Sequence, residues 1–123
     1  MGAITMGFVK GPTDPQWTNA TAMKAWIAFM KKYYPDGNLT DWYIVHAYAA
    51  AQTLVQVLKQ CSDDLTRENV MKQAANLHNL ELPLLLPAFA STPAPPDYRV
   101  IRQAQLQCFD GKQWVRFGEM IAN

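Results

Sequence analysis

Two aromatic residues, Trp42 and Tyr43, open an apolar helical pattern directly after a turn. The start of a helix at the mouth of an α/β sheet is a common ligand site. An aromatic side chain there can close over an apolar ligand, so Trp42 and Tyr43 are the candidate ligand-binding residues. Nothing comparable points to covalent chemistry. A catalytic triad needs a nucleophile, a base and an orienting group, and His46 has no carboxylate or cysteine at a suggestive spacing. His46 and His78 stand apart, and no His/Cys spacing suits a metal. A glycine-rich phosphate loop is also missing. The expectation is a non-enzymatic chain with no cofactor and no metal. Cys61, near a helix end, and Cys108, on an expected strand, allow one disulfide without implying it.

The elements that position Trp42 and Tyr43 follow from periodicity. Residues 3–10 form a short apolar run, expected as a buried strand and ended by Gly11-Pro12-Thr13-Asp14-Pro15. A first helix is expected over 19–34, with Met23, Trp26, Ile27, Met30 and Tyr33 spaced by three and four. Pro35-Asp36-Gly37-Asn38 stops it. A second helix, capped by Thr40 or Asp41, runs to Cys61. Its continuous face is Ile44, Ala47, Tyr48, Ala51, Leu54, Val55 and Leu58. Val45, Ala49 and Val57 extend the apolar surface, so this helix is expected to be covered on more than one side. Thr66 caps a third helix that buries Val70, Met71, Ala74 and Leu77.

Prolines at both ends make 82–87 an extended, buried connection or an edge strand. Residues 91–97 read as a stiff proline-rich loop. From Tyr98 the period becomes two, with Val100, Ala104, Leu106 and Cys108 opposite Gln103, Gln105 and Gln107. Asp110-Gly111 marks a hairpin, and Trp114, Val115 and Phe117 form the return strand. The triplets Asn19-Ala20-Thr21 and Asn38-Leu39-Thr40 match a glycosylation acceptor but suit caps and turns.

The chain of 123 residues suits one domain, 1–123, of α/β class. With 11 basic and 10 acidic residues it carries no footprint for nucleic acid. Only 17% of residues are charged, against about 25% in typical soluble domains. That deficit points to a surface awaiting a partner. No apolar run approaches the length of a membrane span, and no signal peptide opens the sequence. The strand-like start in mid-pattern reads as the later part of a longer protein.

The ordered segments Gly7-Phe8-Val9-Lys10-Gly11-Pro12, Phe29-Met30-Lys31-Lys32-Tyr33-Tyr34-Pro35-Asp36-Gly37, Tyr43-Ile44-Val45-His46-Ala47-Tyr48-Ala49-Ala50-Ala51, Leu65-Thr66-Arg67-Glu68-Asn69-Val70-Met71 and Phe109-Asp110-Gly111-Lys112-Gln113-Trp114-Val115 resemble a known family. Together they resemble the C-terminal part of the type I periplasmic solute-binding proteins of ABC transporters. The branch is that of the branched-chain amino-acid (Leu/Ile/Val-binding) proteins, and the likeness spans essentially the whole chain. It implies a partial doubly wound lobe of about three helices plus an N-terminal strand and a C-terminal hairpin. The parent is then a bilobed periplasmic protein that captures a branched-chain amino acid, a related amide or an aromatic carboxylate and hands it to permease subunits. Tyr43 matches an aromatic that touches the solute's side chain in the family. Many relatives carry Tyr-Asp-Ala in this helix, whereas Tyr48-Ala49-Ala50 lacks the Asp, which argues against assuming amino-acid specificity. Two other readings are a ligand-sensing regulatory domain of the same fold and a self-associating module. An isolated partial sheet leaves edges that a homo-oligomer covers.

Overall fold

The computed structural model describes residues 2–78, 80–86, 101 and 103–122. Within them lie a strand β1 (Ile4–Gly7), three helices, α1 (Thr21–Tyr33), α2 (Trp42–Cys61) and α3 (Arg67–Ala74), and two further strands, β2 (Gln103–Phe109) and β3 (Trp114–Ala122). The strands form one antiparallel sheet in the order β1-β2-β3. The fold is thus mixed helix and strand. The proline-rich loop 91–97, Tyr98 and Val100 lie outside the described residues.

The main core gathers side chains of α1, α2 and the segment 82–85. Met23, Trp26 and Met30 of α1 are buried against Val45 and Ala49 of α2, closed by Leu82, Leu84 and Leu85. The expected α1 stripe is present except at its end, where Tyr33 lies exposed. Residue 19 does not cap this helix; the N-cap is Ala20, with no side-chain bond. The helix ends at Tyr33, with Tyr34 as its C-cap and Pro35, which cannot continue it, directly after.

The buried face of α2 differs from expectation. Val45, Ala49, Val57 and Cys61 are buried, whereas Leu54, Val55 and Leu58 are exposed. Apolar residues almost all round this helix give no single stripe, and the packing of α1 and α3 selects the face. The far end of α2 packs Val57 and Cys61 on Leu77, with Val70 and Ala74 alongside. Met71, expected in that interface, is exposed, and Leu77 lies beyond the end of α3.

The run expected to be extended is only partly so: a turn closes at Pro83-Leu84, with Leu85 N–H donating to Leu82 O at 2.9 Å, while Leu82, Leu84, Leu85 and Leu86 are buried. Leu86 N–H donates to Phe8 O at 2.9 Å, and Lys10 N–H donates to Leu84 O at 2.8 Å. Val9 and Leu85 thereby form an isolated antiparallel bridge. The run 3–10 is consequently split. Val9 is buried, but Ile4 and Met6 of β1 are exposed, because β1 is an edge strand with an open face.

The β2–β3 hairpin turns at Asp110-Gly111. The Asp110 carboxylate accepts the N–H groups of Lys112 and Gln113, both at 2.8 Å, and Gly111 adopts φ +104°, where glycine avoids a Cβ clash. These bonds, Gln113 foremost, hold the Asp110 carboxyl below its ordinary range. Between Gln105–Met120 and Leu106–Phe117 the register shifts, leaving Gly118 and Glu119 in a bulge. The expected alternation of buried and polar faces is not expressed, since 103–108 are half-buried on both faces.

Candidate functional site

A groove of about 520 Å³ lies between β1, the turn that follows it, the start of α2 and the β2–β3 hairpin. Its aromatic walls are Phe8, Trp42, Phe109 and Trp114, and its charged groups are Asp14, Lys112 and Arg116. The size falls within the usual range for small-molecule sites, about 300–1,000 Å³.

The residues that shape it are set by local rules. Gly7 lies beneath the Gln107 side chain so closely that an added Cβ would sit 2.7 Å from Gln107 Oε1. The turn before α2 is fixed by Asn38, whose Oδ1 accepts from Thr40 N at 3.0 Å and Thr40 Oγ1 at 2.7 Å. This is the turn role open to Asn38. Asp41 then caps α2, accepting Tyr43 N–H at 2.9 Å. A carboxylate already occupies this helix end, so its positive dipole is answered from within the chain.

Of the two residues expected at the site, Trp42 lines the groove and Tyr43 does not. The Tyr43 ring stacks on that of Trp42, 4.1 Å between centroids and 26° between planes. Tyr43 is thereby a support for Trp42, exposed on its outer side.

The groove also contains a group that periodicity did not single out. Arg116 projects from β3 with a side chain only 4% exposed. Its Nη2 donates to Val9 O, and its Nε stands 3.7 Å from Asp14 Oδ2. The guanidinium lies over the Trp17 ring, 5.6 Å from its centroid, and Lys10 Nζ lies 5.0 Å from the same ring. Lys10 Nζ donates to Pro83 O at 2.6 Å. Burial, and secondarily repulsion from Arg116, lowers the Lys10 pKa. Burial also lowers that of Arg116, with Asp14 acting in the opposite sense. Two donors in this cluster, Arg116 Nη1 and Trp17 Nε1, are buried without a hydrogen-bond partner among the described residues. One signal was available in the sequence: Arg116 interrupts the otherwise apolar or small run Trp114-Val115-Arg116-Phe117-Gly118. A lone charge in a strand usually points to solvent, and here it points inward.

The other candidates for chemistry lie elsewhere. His46 packs edge-on against Phe8, 5.5 Å between centroids. His78 Nε2 is 2.7 Å from Asn76 Oδ1. Cys61 and Cys108 are both free thiols, so the disulfide that two cysteines allowed is not formed. Among the described residues no group of three His, Cys, Asp or Glu could hold a metal ion, and no helix is long and apolar enough to cross a membrane. A second, shallower groove of about 410 Å³ runs between α1 and α2, walled by Phe29, Tyr34, Ile44, Tyr48 and Val55. Comparison with protein-family models, curated proteins and solved structures finds no match for this chain.

Proposed function

We propose that these residues are the C-terminal portion of a bilobed ABC-transporter substrate-binding protein of the branched-chain amino-acid class. In this reading the chain contributes a partial doubly wound lobe. The parent captures a small solute, such as a branched-chain amino acid or an aromatic carboxylate, in the periplasm and delivers it to permease subunits. No covalent step and no cofactor is involved. The observation that carries the reading is the groove at the start of α2, with Trp42 on its wall and Tyr43 stacked behind it. The return of the β2–β3 hairpin onto β1 supports it further, because it brings the two ends of the element order to one sheet. Binding in such a protein works by closure, and the solute must favour the closed state to shift the population.

The test is uptake. Disrupting the gene that encodes this chain should reduce accumulation of radiolabelled leucine or of a labelled aromatic carboxylate, and unchanged uptake of both would overturn the proposal. The chain alone, lacking the rest of the cleft, is expected to bind leucine weakly or not at all by isothermal titration.

A second reading, self-association, is favoured by one observation. Leu54, Val55 and Leu58 form an exposed row on α2, and among the described residues β3 pairs on one edge only. Native mass spectrometry of the isolated chain distinguishes a homo-oligomer from a monomer.

A further inference from the structure

Helix α2 exposes a long face that carries no charge. Between Trp42 and Leu58 the sequence has no Asp, Glu, Lys or Arg. Tyr43, Ala47, Ala50, Leu54 and Leu58 recur at helical spacing, which sets them in one row along the helix. All five are exposed, Tyr43 at 65% and Leu54 at 54%. The buried residues Val45, Ala49 and Val57 lie outside this row. At 1.5 Å per residue the row is about 22 Å long. On its α1 side the apolar surface continues to exposed Phe29, whose ring meets that of Tyr48 at 5.0 Å between centroids. A contiguous apolar surface of this kind marks an interaction site.

Charge marks the two ends of the row and limits what fits it. Asp41 caps the start of α2, and Lys59 stands in its last turn. They are about five full turns apart, so both lie on the same flank of the helix. A matching partner has an uncharged row, a cation beside Asp41 and an anion beside Lys59. The same helix of a second copy, running antiparallel about a twofold axis at Ala50, has that pattern. Position 50 lies midway between Asp41 and Lys59. Asp41 of each copy then comes level with Lys59 of the other, on the same flank. Leu54 comes within about one residue of Ala47 of the second copy, and Leu58 within about one residue of its Tyr43. Leucine thus meets alanine near the axis, where small side chains let helices approach closely, and meets an aromatic ring further out. The two helix dipoles oppose one another. A parallel pairing would instead set Asp41 beside Asp41 and Lys59 beside Lys59.

We propose that the exposed row of α2 is a homodimer interface, in which the α2 helices of two copies pack antiparallel about a twofold axis at Ala50. This pairing rests on the self-association reading and names its surface. The apolar row supplies most of the attraction, while the two ion pairs set direction and register. A single helix pair buries less than a standard interface, so the dimer is reversible, with a dissociation constant on the order of 10 µM.

The experiment is sedimentation velocity of the full chain over a series of about 1–300 µM, together with disulfide trapping. The chain should pass from monomer to dimer within the series. Leu54→Glu should weaken the dimer more than about tenfold, because it sets a charge against apolar surface, while leaving the circular dichroism of the monomer unchanged. Lys59→Glu should weaken it about fivefold at low salt and less at high salt. Trapping reads the geometry in an otherwise native chain. Ala50→Cys should bridge to its own copy under mild oxidation, because the two positions meet at the axis. Leu58→Cys should not, because its two copies lie about 24 Å apart in antiparallel order. Peptide mass mapping separates these bridges from any at Cys61 or Cys108. A dimer unaffected by Leu54→Glu would overturn this interface and leave self-association to another surface, such as β3. Leu58→Cys bridging to itself as readily as Ala50→Cys would overturn the antiparallel order. A monomer throughout the series would overturn both the interface and the self-association reading, and would leave the row to a different polypeptide.

Discussion

Replacing Arg116 by Ala separates two forces that meet at one side chain. The guanidinium donates to Val9 O and faces Asp14 at 3.7 Å. Hydrogen bonds from charged groups are worth about 1.5–3 kcal/mol. Without Arg116, Val9 O keeps no side-chain donor in a buried position, adding a penalty of about 1–3 kcal/mol. The cation over Trp17 contributes about 0.5–1 kcal/mol. Against these, the substitution removes a desolvated charge with an orphaned Nη1, which recovers part of the cost. The net expectation is a loss of about 2–3 kcal/mol. For a chain of this size that lowers Tm by about 10 °C. The Asp14 pair is the weaker of the two forces, because 3.7 Å exceeds hydrogen-bond length and Asp14 is the more exposed partner. Asp14→Asn should cost under about 1 kcal/mol, and a double-mutant cycle with Arg116→Ala should return a coupling of similar size. Urea denaturation with an unchanged m-value measures both. A coupling that accounts for the whole Arg116 effect would refute the argument that the Val9 bond dominates. So would an Arg116→Ala variant as stable as the parent.

Further outcomes follow from the same geometry. Trp26 is 1% exposed at the centre of the core, so Trp26→Ala should cost about 3–5 kcal/mol, enough to abolish the near-ultraviolet circular dichroism of a marginal domain. Asp41→Ala removes the α2 cap and should cost about 1 kcal/mol by denaturant midpoint. The carboxyls of Asp64, bonded by Thr66, and Asp110, bonded by Gln113 and Lys112, are held below their ordinary range. Such groups contribute stability that is present above the unfolded pKa and lost as pH falls through the lower folded value. Asp110→Asn should therefore flatten the acid limb of stability below about pH 4. Thiol labelling should modify half-buried Cys108 well before Cys61, which is 3% exposed.

The helices were legible because apolar residues recur every three or four positions between proline and glycine stops. The burial of the leucines in 82–86 was legible from their run, whereas the turn at Pro83-Leu84 was not, because a proline fits a turn as readily as an extended segment. The face of α2 was not. Ile44, Val45, Ala47, Ala49, Ala51 and Leu54 surround the axis, and only the approach of α1 and α3 decides which of them is covered. The alternation of Gln103, Gln105 and Gln107 with Ala104, Leu106 and Cys108 suggested one covered face, but a narrow three-stranded sheet covers both faces partly. At the site, Trp42 stood out as an aromatic at a helix start. Arg116 stood out only as a lone charge in an apolar run, and its inward placement depends on Val9, 107 positions earlier.

That separation has a consequence for synthesis. Strand β1 finds its pairing partner in β2, with Ile4 opposite Cys108. A ribosome adds about 5–20 residues per second, so β1 leaves the exit tunnel on the order of ten seconds before β2 exists. In that interval α1 and α2 can collapse on their own, since their contacts are close in sequence, while the backbone groups of β1 that later pair with β2 are left without partners. The nascent polypeptide thus offers a chaperone a strand with an unpaired backbone, and the arrival of β2, which pairs with β1, is the event that withdraws it.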